Sequence, residues 1–258
     1  MIFKMRHFIL LCLFLFFLGF LMLPFDNQWV HALYGQSIYP NISALNQFLW
    51  SKVPFSIGDF GYIMGILFVL FRLRHFKLKR HIGQVLATVF IIVSLFYISW
   101  GMHYFKTPLR VSRTLPTTIS LEHLKETTQH YALTLTAQHQ HISHDPLKAV
   151  VTPLETDALL ALATKTMEHS SLRPSRAHGK AKATLFPTAL SYMGFGGYLN
   201  PFTHEAQVNT LQPKLRILTT ACHEIAHQWG IAAEDEANYF SIKASTASDN
   251  AVISYAGH

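Results

Sequence analysis

The segment His223-Glu224-Ile225-Ala226-His227 combines the residue types that hold and use a zinc ion, at the spacing a helix requires. Residues four apart share a helical face, so two imidazoles can grip one ion while Glu224, one position along, leans toward a water beside it. This is the HExxH pattern of a zinc-dependent peptidase, with Glu224 as general base. Its surroundings fit a helix. Leu215 to Thr220 gives an apolar lead-in, and Gly230 stands three residues after the second histidine, where a left-handed residue ends a helix and lets the chain turn back.

The offset of Gly230 resembles the metzincin pattern HExxHxxGxxH, but Ala233 stands where that family has its third histidine, so the match ends there. A better match is the gluzincin arrangement, in which an ExxxD or ExxxN segment on a second helix supplies a glutamate ligand. Glu234 and Asn238 have that spacing and share a helical face. The resemblance implies that Glu234 is the third zinc ligand, and that Asn238 accepts a hydrogen bond from the outer nitrogen of a ligand histidine and fixes its tautomer. Glu236 is the rival ligand, about 200° around the helix from Glu234. It has Phe240 rather than a polar residue four positions on, although a later ligand would relax the short Gly230 to Ala233 connection. The alternative role of Glu234, Asp235 and Glu236 is simply to favour the N-terminal end of a helix dipole.

Three further stretches carry a wider resemblance: Ser191 to Asn209 (SYMGFGGYLNPFTHEAQVN), Cys222 to Gln228 (CHEIAHQ) and Glu234 to Phe240 (EDEANYF). They resemble the bacterial membrane proteins grouped as domain of unknown function 3810. That family spans the whole chain in outline and is specific from about Ser191 onward. The resemblance implies a membrane-anchored zinc metallopeptidase of unassigned substrate. The family continues past a Tyr-Ser-Gly segment that Tyr255-Ala256-Gly257 approximates, which implies a further C-terminal piece beyond His258.

Composition indicates where such a site would sit. Half the residues are hydrophobic and 14% are charged, with the apolar residues concentrated in positions 1–105. Residues 8–23, 57–71 and 82–105 read as about three membrane spans. For the first, a signal peptide is the alternative, but Pro24-Phe25-Asp26 stands where a small-x-small cleavage site would, which favours a retained anchor. The second is short and glycine-rich, and a re-entrant segment is its alternative. The net charge of +7 is a topology signal rather than a nucleic-acid footprint. Positions 1–105 hold Lys4, Arg6, Lys52, Arg72, Arg74, Lys77, Lys79 and Arg80 against Asp26 and Asp59, whereas the remainder is nearly balanced. The cluster Arg72 to Arg80 reads as cytoplasmic. The N-terminus is then also inside, and everything after Phe105 lies outside a bacterial inner membrane. Cys12 and Cys222 lie too far apart in this scheme to pair, and Cys222 reads as a small buried residue.

In the outer region, residues 106–120 form a juxtamembrane linker, with Pro108 and Pro116 ruling out a continued helix. Leu121 to His141 and Pro153 to Ser170 have helical spacing, the second with Thr152 as N-cap and Glu155 completing a capping box. His123, His130, His139, His141 and His144 read as a solvated surface rather than a second metal site. Tyr192 to Asn209 is the candidate substrate-pairing edge strand, or else a hairpin packed on the zinc helix. The predicted architecture is a mainly α membrane protein, with about three N-terminal transmembrane helices followed by an α+β zincin-like extracytoplasmic domain over residues 121–258. The predicted activity is hydrolysis of a peptide or protein substrate with Zn2+ held by His223, His227 and Glu234. Tyr198, His204 and Tyr255 are the candidate oxyanion donors. A catalytically silent membrane sensor or peptide-binding protein is the alternative, which the intact Glu224 disfavours.

Overall fold

The computed structural model describes Phe14 and residues 27–74, 78–116 and 118–258. The chain is mostly helical, with one small sheet. A helical run of Asn27–Trp29, a π-helical Val30–Ile38 and helix α1 (Tyr39–Trp50) leads to α2 (Ile57–Leu73) and α3 (Leu78–Ser99), then to a short 3-10 helix (Gly101–Phe105). The C-terminal region comprises α4 (Leu121–Ser143), α5 (Thr156–Glu168), β1 (Ala181–Ala183), α6 (Pro187–Met193), β2 (Gly197–Leu199), β3 (Ala206–Val208), α7 (Lys214–Gln228), α8 (Glu234–Thr246) and α9 (Ala251–Gly257). Strand order is β1-β3-β2, with β1 parallel and β2 antiparallel to β3, which leaves β2 at one edge.

Helix α7 is the centre of the C-terminal region. Its apolar face, Ile217, Leu218, Ala221, Cys222 and Ile225, is buried against Leu159, Ala163 and Met167 of α5, Val208 of β3, and Ala237 and Ala244 of α8. The Cys222 thiol is fully buried, which pushes its pKa up to about 12 and makes it a core residue rather than a nucleophile. A smaller cluster of Val30, Tyr34, Tyr39 and Trp100 joins the helical run at 27–50 to the end of α3.

The expectation of three spans is corrected. Among the described residues one helix, over His81–Ser99, is long and apolar enough to cross a membrane. The first expected span lies outside the described residues apart from Phe14. The second forms α2, 17 residues long, whose first turn is fastened to the sheet. Glu205 accepts hydrogen bonds from the backbone N–H of Ile57 (3.2 Å) and Gly58 (2.7 Å), and Ser56 caps the helix through Asp59 N–H. Beyond that turn, Phe60, Ile66, Phe68 and Phe71 are at least half exposed. The third span was expected to run to Phe105, but its helix ends at Ser99. There the chain meets the C-terminal region: Ser99 Oγ donates to Pro201 O at 2.7 Å, and the backbone turns at Trp100, whose ring is buried in the smaller cluster.

The start of α5 also differs from expectation. Thr152 Oγ1 accepts from Leu154 N–H in a tight turn, so the helix begins at Thr156 with Glu155 in the N-cap position and no side-chain cap.

Candidate metal centre

Two short helices and the turn between them build the site. α7 ends at Gln228, and Gly230 takes φ +83°, which only glycine adopts without strain. A Cβ there would also meet the His103 ring at 2.5 Å. The reversal lets α8 begin at Glu234, directly across from the two histidines.

His223 Nε2 and His227 Nε2 stand 3.0 Å apart, and the Glu234 carboxylate lies 3.1 Å from the first and 3.5 Å from the second. The outer ring nitrogens are spoken for. His227 Nδ1 donates to Ile231 O at 2.6 Å, and His223 Nδ1 to Asn238 Oδ1 at 2.9 Å. With both protons outside, two Nε2 lone pairs face one another beside a carboxylate, an arrangement that a shared proton or a metal cation at its focus would relieve. Two imidazoles and one carboxylate, with donor atoms within 4.8 Å of one another, are a set that zinc accepts while keeping a fourth position open. Among the described residues no other group of three or more His, Cys, Asp or Glu is placed to hold a metal.

Glu224 is buried, and its Oε2 has no hydrogen-bond partner. Burial, then the nearby Glu234 charge, pushes its pKa well above the carboxylate range. This places a buried carboxyl oxygen with no protein partner beside three metal-type ligands at the edge of an open cleft. His227 is lowered by burial first, which favours the neutral, metal-binding imidazole. Glu236 faces elsewhere and accepts from the Leu109 backbone N–H, in the segment between α3 and α4.

The three candidate oxyanion donors have other surroundings. Tyr198, on β2, lines the cleft, but its hydroxyl donates to Asp59. His204 is buried with positive φ, its Nε2 2.9 Å from Ser99 Oγ and its ring stacked on Tyr39. Tyr255 pairs with His139 of α4 at 3.2 Å. Only Tyr198 of the three lines the cleft with the ligand set. Tyr104 does so as well, and burial, followed by Glu234, raises its hydroxyl pKa. It was missed because it lay inside a segment read as membrane span. Trp100 packs edge-on against His227 at 6.2 Å. Asp59 is the other missed residue, accepting from Thr184 Oγ1 (2.8 Å), Leu185 N–H (2.6 Å) and Tyr198. A lone carboxylate inside an apolar helix was the signal that could have found it.

The remaining fixings are buried. Lys182 Nζ bridges Glu205 Oε1 at 2.7 Å and donates to Trp50 O, and Thr203 Oγ1 supplies a further bond to Glu205. A buried ion pair is tolerated when its remaining hydrogen-bonding capacity is met in this way. The pair holds α2 against the sheet, and with it one wall of the cleft.

A family model described as a protein of unknown function, DUF3810, matches residues 34–258, and the chain belongs to that family. No curated protein and no solved structure matches.

Proposed function

We propose that the chain is a membrane-anchored zinc-dependent peptidase. One observation carries the reading: two histidine nitrogens and a glutamate converge on one point, with the unpartnered Glu224 carboxyl beside them. His223, His227 and Glu234 would hold the ion. When bound, zinc supplies Lewis acidity that polarises a scissile carbonyl and lowers the pKa of water toward about 7.

The rest is done by the chain's own groups. Glu224 accepts the proton of the attacking water and delivers it to the leaving amine. Asn238 and Ile231 keep both Nδ1 atoms protonated, so that the Nε2 lone pairs face inward. Bonds from Asn200 N–H to Glu205 O and from Asn209 N–H to Gly196 O make Tyr198 and Gln207 a hydrogen-bonded pair. Alternation then turns the N–H and C=O of Gly197 and Leu199 outward, where an extended substrate can pair with them.

The reading extends to topology. α2 and α3 enter the bilayer together, the basic connection that includes Arg72 and Arg74 faces the cytoplasm, and the outer domain faces the exterior. Incubating the full-length zinc-loaded chain with a peptide library tests the activity. Sequence-selective products that vanish with Glu224→Gln are expected, whereas zinc retention without turnover by the wild type would favour a binding or sensing protein.

Gly197→Ala is a further expected loss. An added Cβ would stand 2.5 Å from Gln207 O and 2.8 Å from Glu224 Oε1, so either the edge strand or the base must move. Misplacement by about 1 Å can cost about a hundredfold in kcat, with zinc content unchanged.

A further inference from the structure

The cleft has two arms that meet at the ligand set, one strongly apolar and the other of mixed polar and apolar lining. One arm, of about 1190 Å³, is walled by Gly61, Gly65, Ile66 and Val69 of α2 and by Phe96 and Trp100 at the end of α3. The other, of about 410 Å³, is walled by Arg216, Thr219, Thr220, Asn238 and Ser241 of α7 and α8. Both arms include His223, Glu224 and Glu234.

The apolar arm follows the two helices that the proposed topology sets in the bilayer. Gly61, Gly65 and Val69 recur every fourth residue and so form one face of α2, and the lining continues to Leu70. From Gly61 to Leu70 the helix rises about 14 Å, enough for about four residues of extended chain. A Cβ at Gly61 or Gly65 would touch nothing within 4 Å, so this wall is flat and open. Phe68 and Phe71 continue the helix as exposed apolar surface, and α3 is long and apolar enough to cross a membrane. Gly197, Tyr198 and Leu199 of the free edge strand line the same arm. A backbone ladder of that kind suits a polypeptide and is of no use to an acyl chain.

Resting on the peptidase reading, we infer that the substrate is the membrane-proximal segment of a polypeptide anchored in the same bilayer. Its bulky apolar residues occupy the arm along α2 and α3. Its polar residues cross the ligand set into the arm of α7 and α8, so cleavage falls where the substrate chain leaves the membrane.

The test uses the full-length chain in nanodiscs of phosphatidylethanolamine and phosphatidylglycerol. The probes are photo-leucine peptides with a Leu/Phe block joined to a Ser/Thr/Gln block, beside scrambled peptides of the same composition. With Glu224→Gln, which leaves the ligand set intact, the block peptide should bind about thirtyfold more tightly than the scrambled one, as expected for burying one large apolar side chain. Gly65→Leu, which fills the open wall, should remove that preference without changing zinc content. Should Gly65→Leu disturb folding, Val69→Trp on the same face serves instead. Equal binding of the two peptides, an unchanged preference in the filled variants, or cross-linking to phospholipid alone would overturn the inference. Failure of the wild type to cleave either peptide while the block preference persists would overturn the peptidase reading instead. Cleavage of scrambled and block peptides at equal rates would overturn the substrate class and leave the peptidase reading standing.

Discussion

Glu224→Gln is expected to lower turnover by about three orders of magnitude, within the range for losing a general base, and to leave zinc content at the wild-type level. The side chain contributes none of the three converging donor atoms, so the ion has no reason to leave. Nor should stability suffer. Gln has nearly the same shape and fills the same buried position, so the substitution costs little. Zinc content and kcat measured on the same preparation check both halves. Loss of zinc together with activity would make Glu224 a structural support of the site rather than its base.

The comparison of Glu234→Ala with Glu236→Ala should separate two carboxylates only two residues apart. Glu234 lies 3.1 Å and 3.5 Å from the two imidazole nitrogens, and removing it should weaken zinc binding by more than about a hundredfold, the upper end for groups that only support a ligand. Glu236 instead accepts from Leu109 N–H. Its removal should leave zinc affinity near the wild-type value and cost about 1–3 kcal/mol by leaving a partly buried donor unpaired. Competition with a chelating indicator gives the affinities, and denaturant unfolding gives the stability. The reverse ranking would move the third ligand to Glu236 and leave Asn238 with no role in the site.

The local part of this site was legible in the sequence, because a helix converts spacing directly into geometry. His223 and His227 share a face of α7, Gly230 reverses the chain, and Glu234 with Asn238 shares a face of α8, all within sixteen residues. The rest depends on contacts between distant segments, on which periodicity is silent. Asp59 meets Thr184 and Tyr198, and Lys182 meets Glu205 and the Trp50 carbonyl. Composition marked Ile57 to Phe71 as membrane but could not show that its first turn is bolted to the sheet through Glu205. Ile82 to Phe105 read as one span for the same reason. Hydropathy sees Trp100 and Tyr104 as apolar and interfacial, whereas packing against His227 and the cleft breaks the helix at that point. His204 and Tyr255 were chosen for their chemistry and position in the chain, and their hydrogen bonds to Ser99 and His139 turn them to other parts of the fold.

Metal analysis of the purified full-length chain beside His223→Ala and His227→Ala tests the central claim most directly. Each variant removes one of the two imidazoles whose Nε2 atoms converge 3.0 Å apart beside Glu234. The account predicts close to one zinc per wild-type chain and well below that in both variants, with folding retained. A wild-type chain that binds no zinc when offered it, or variants that keep a full equivalent, would contradict it.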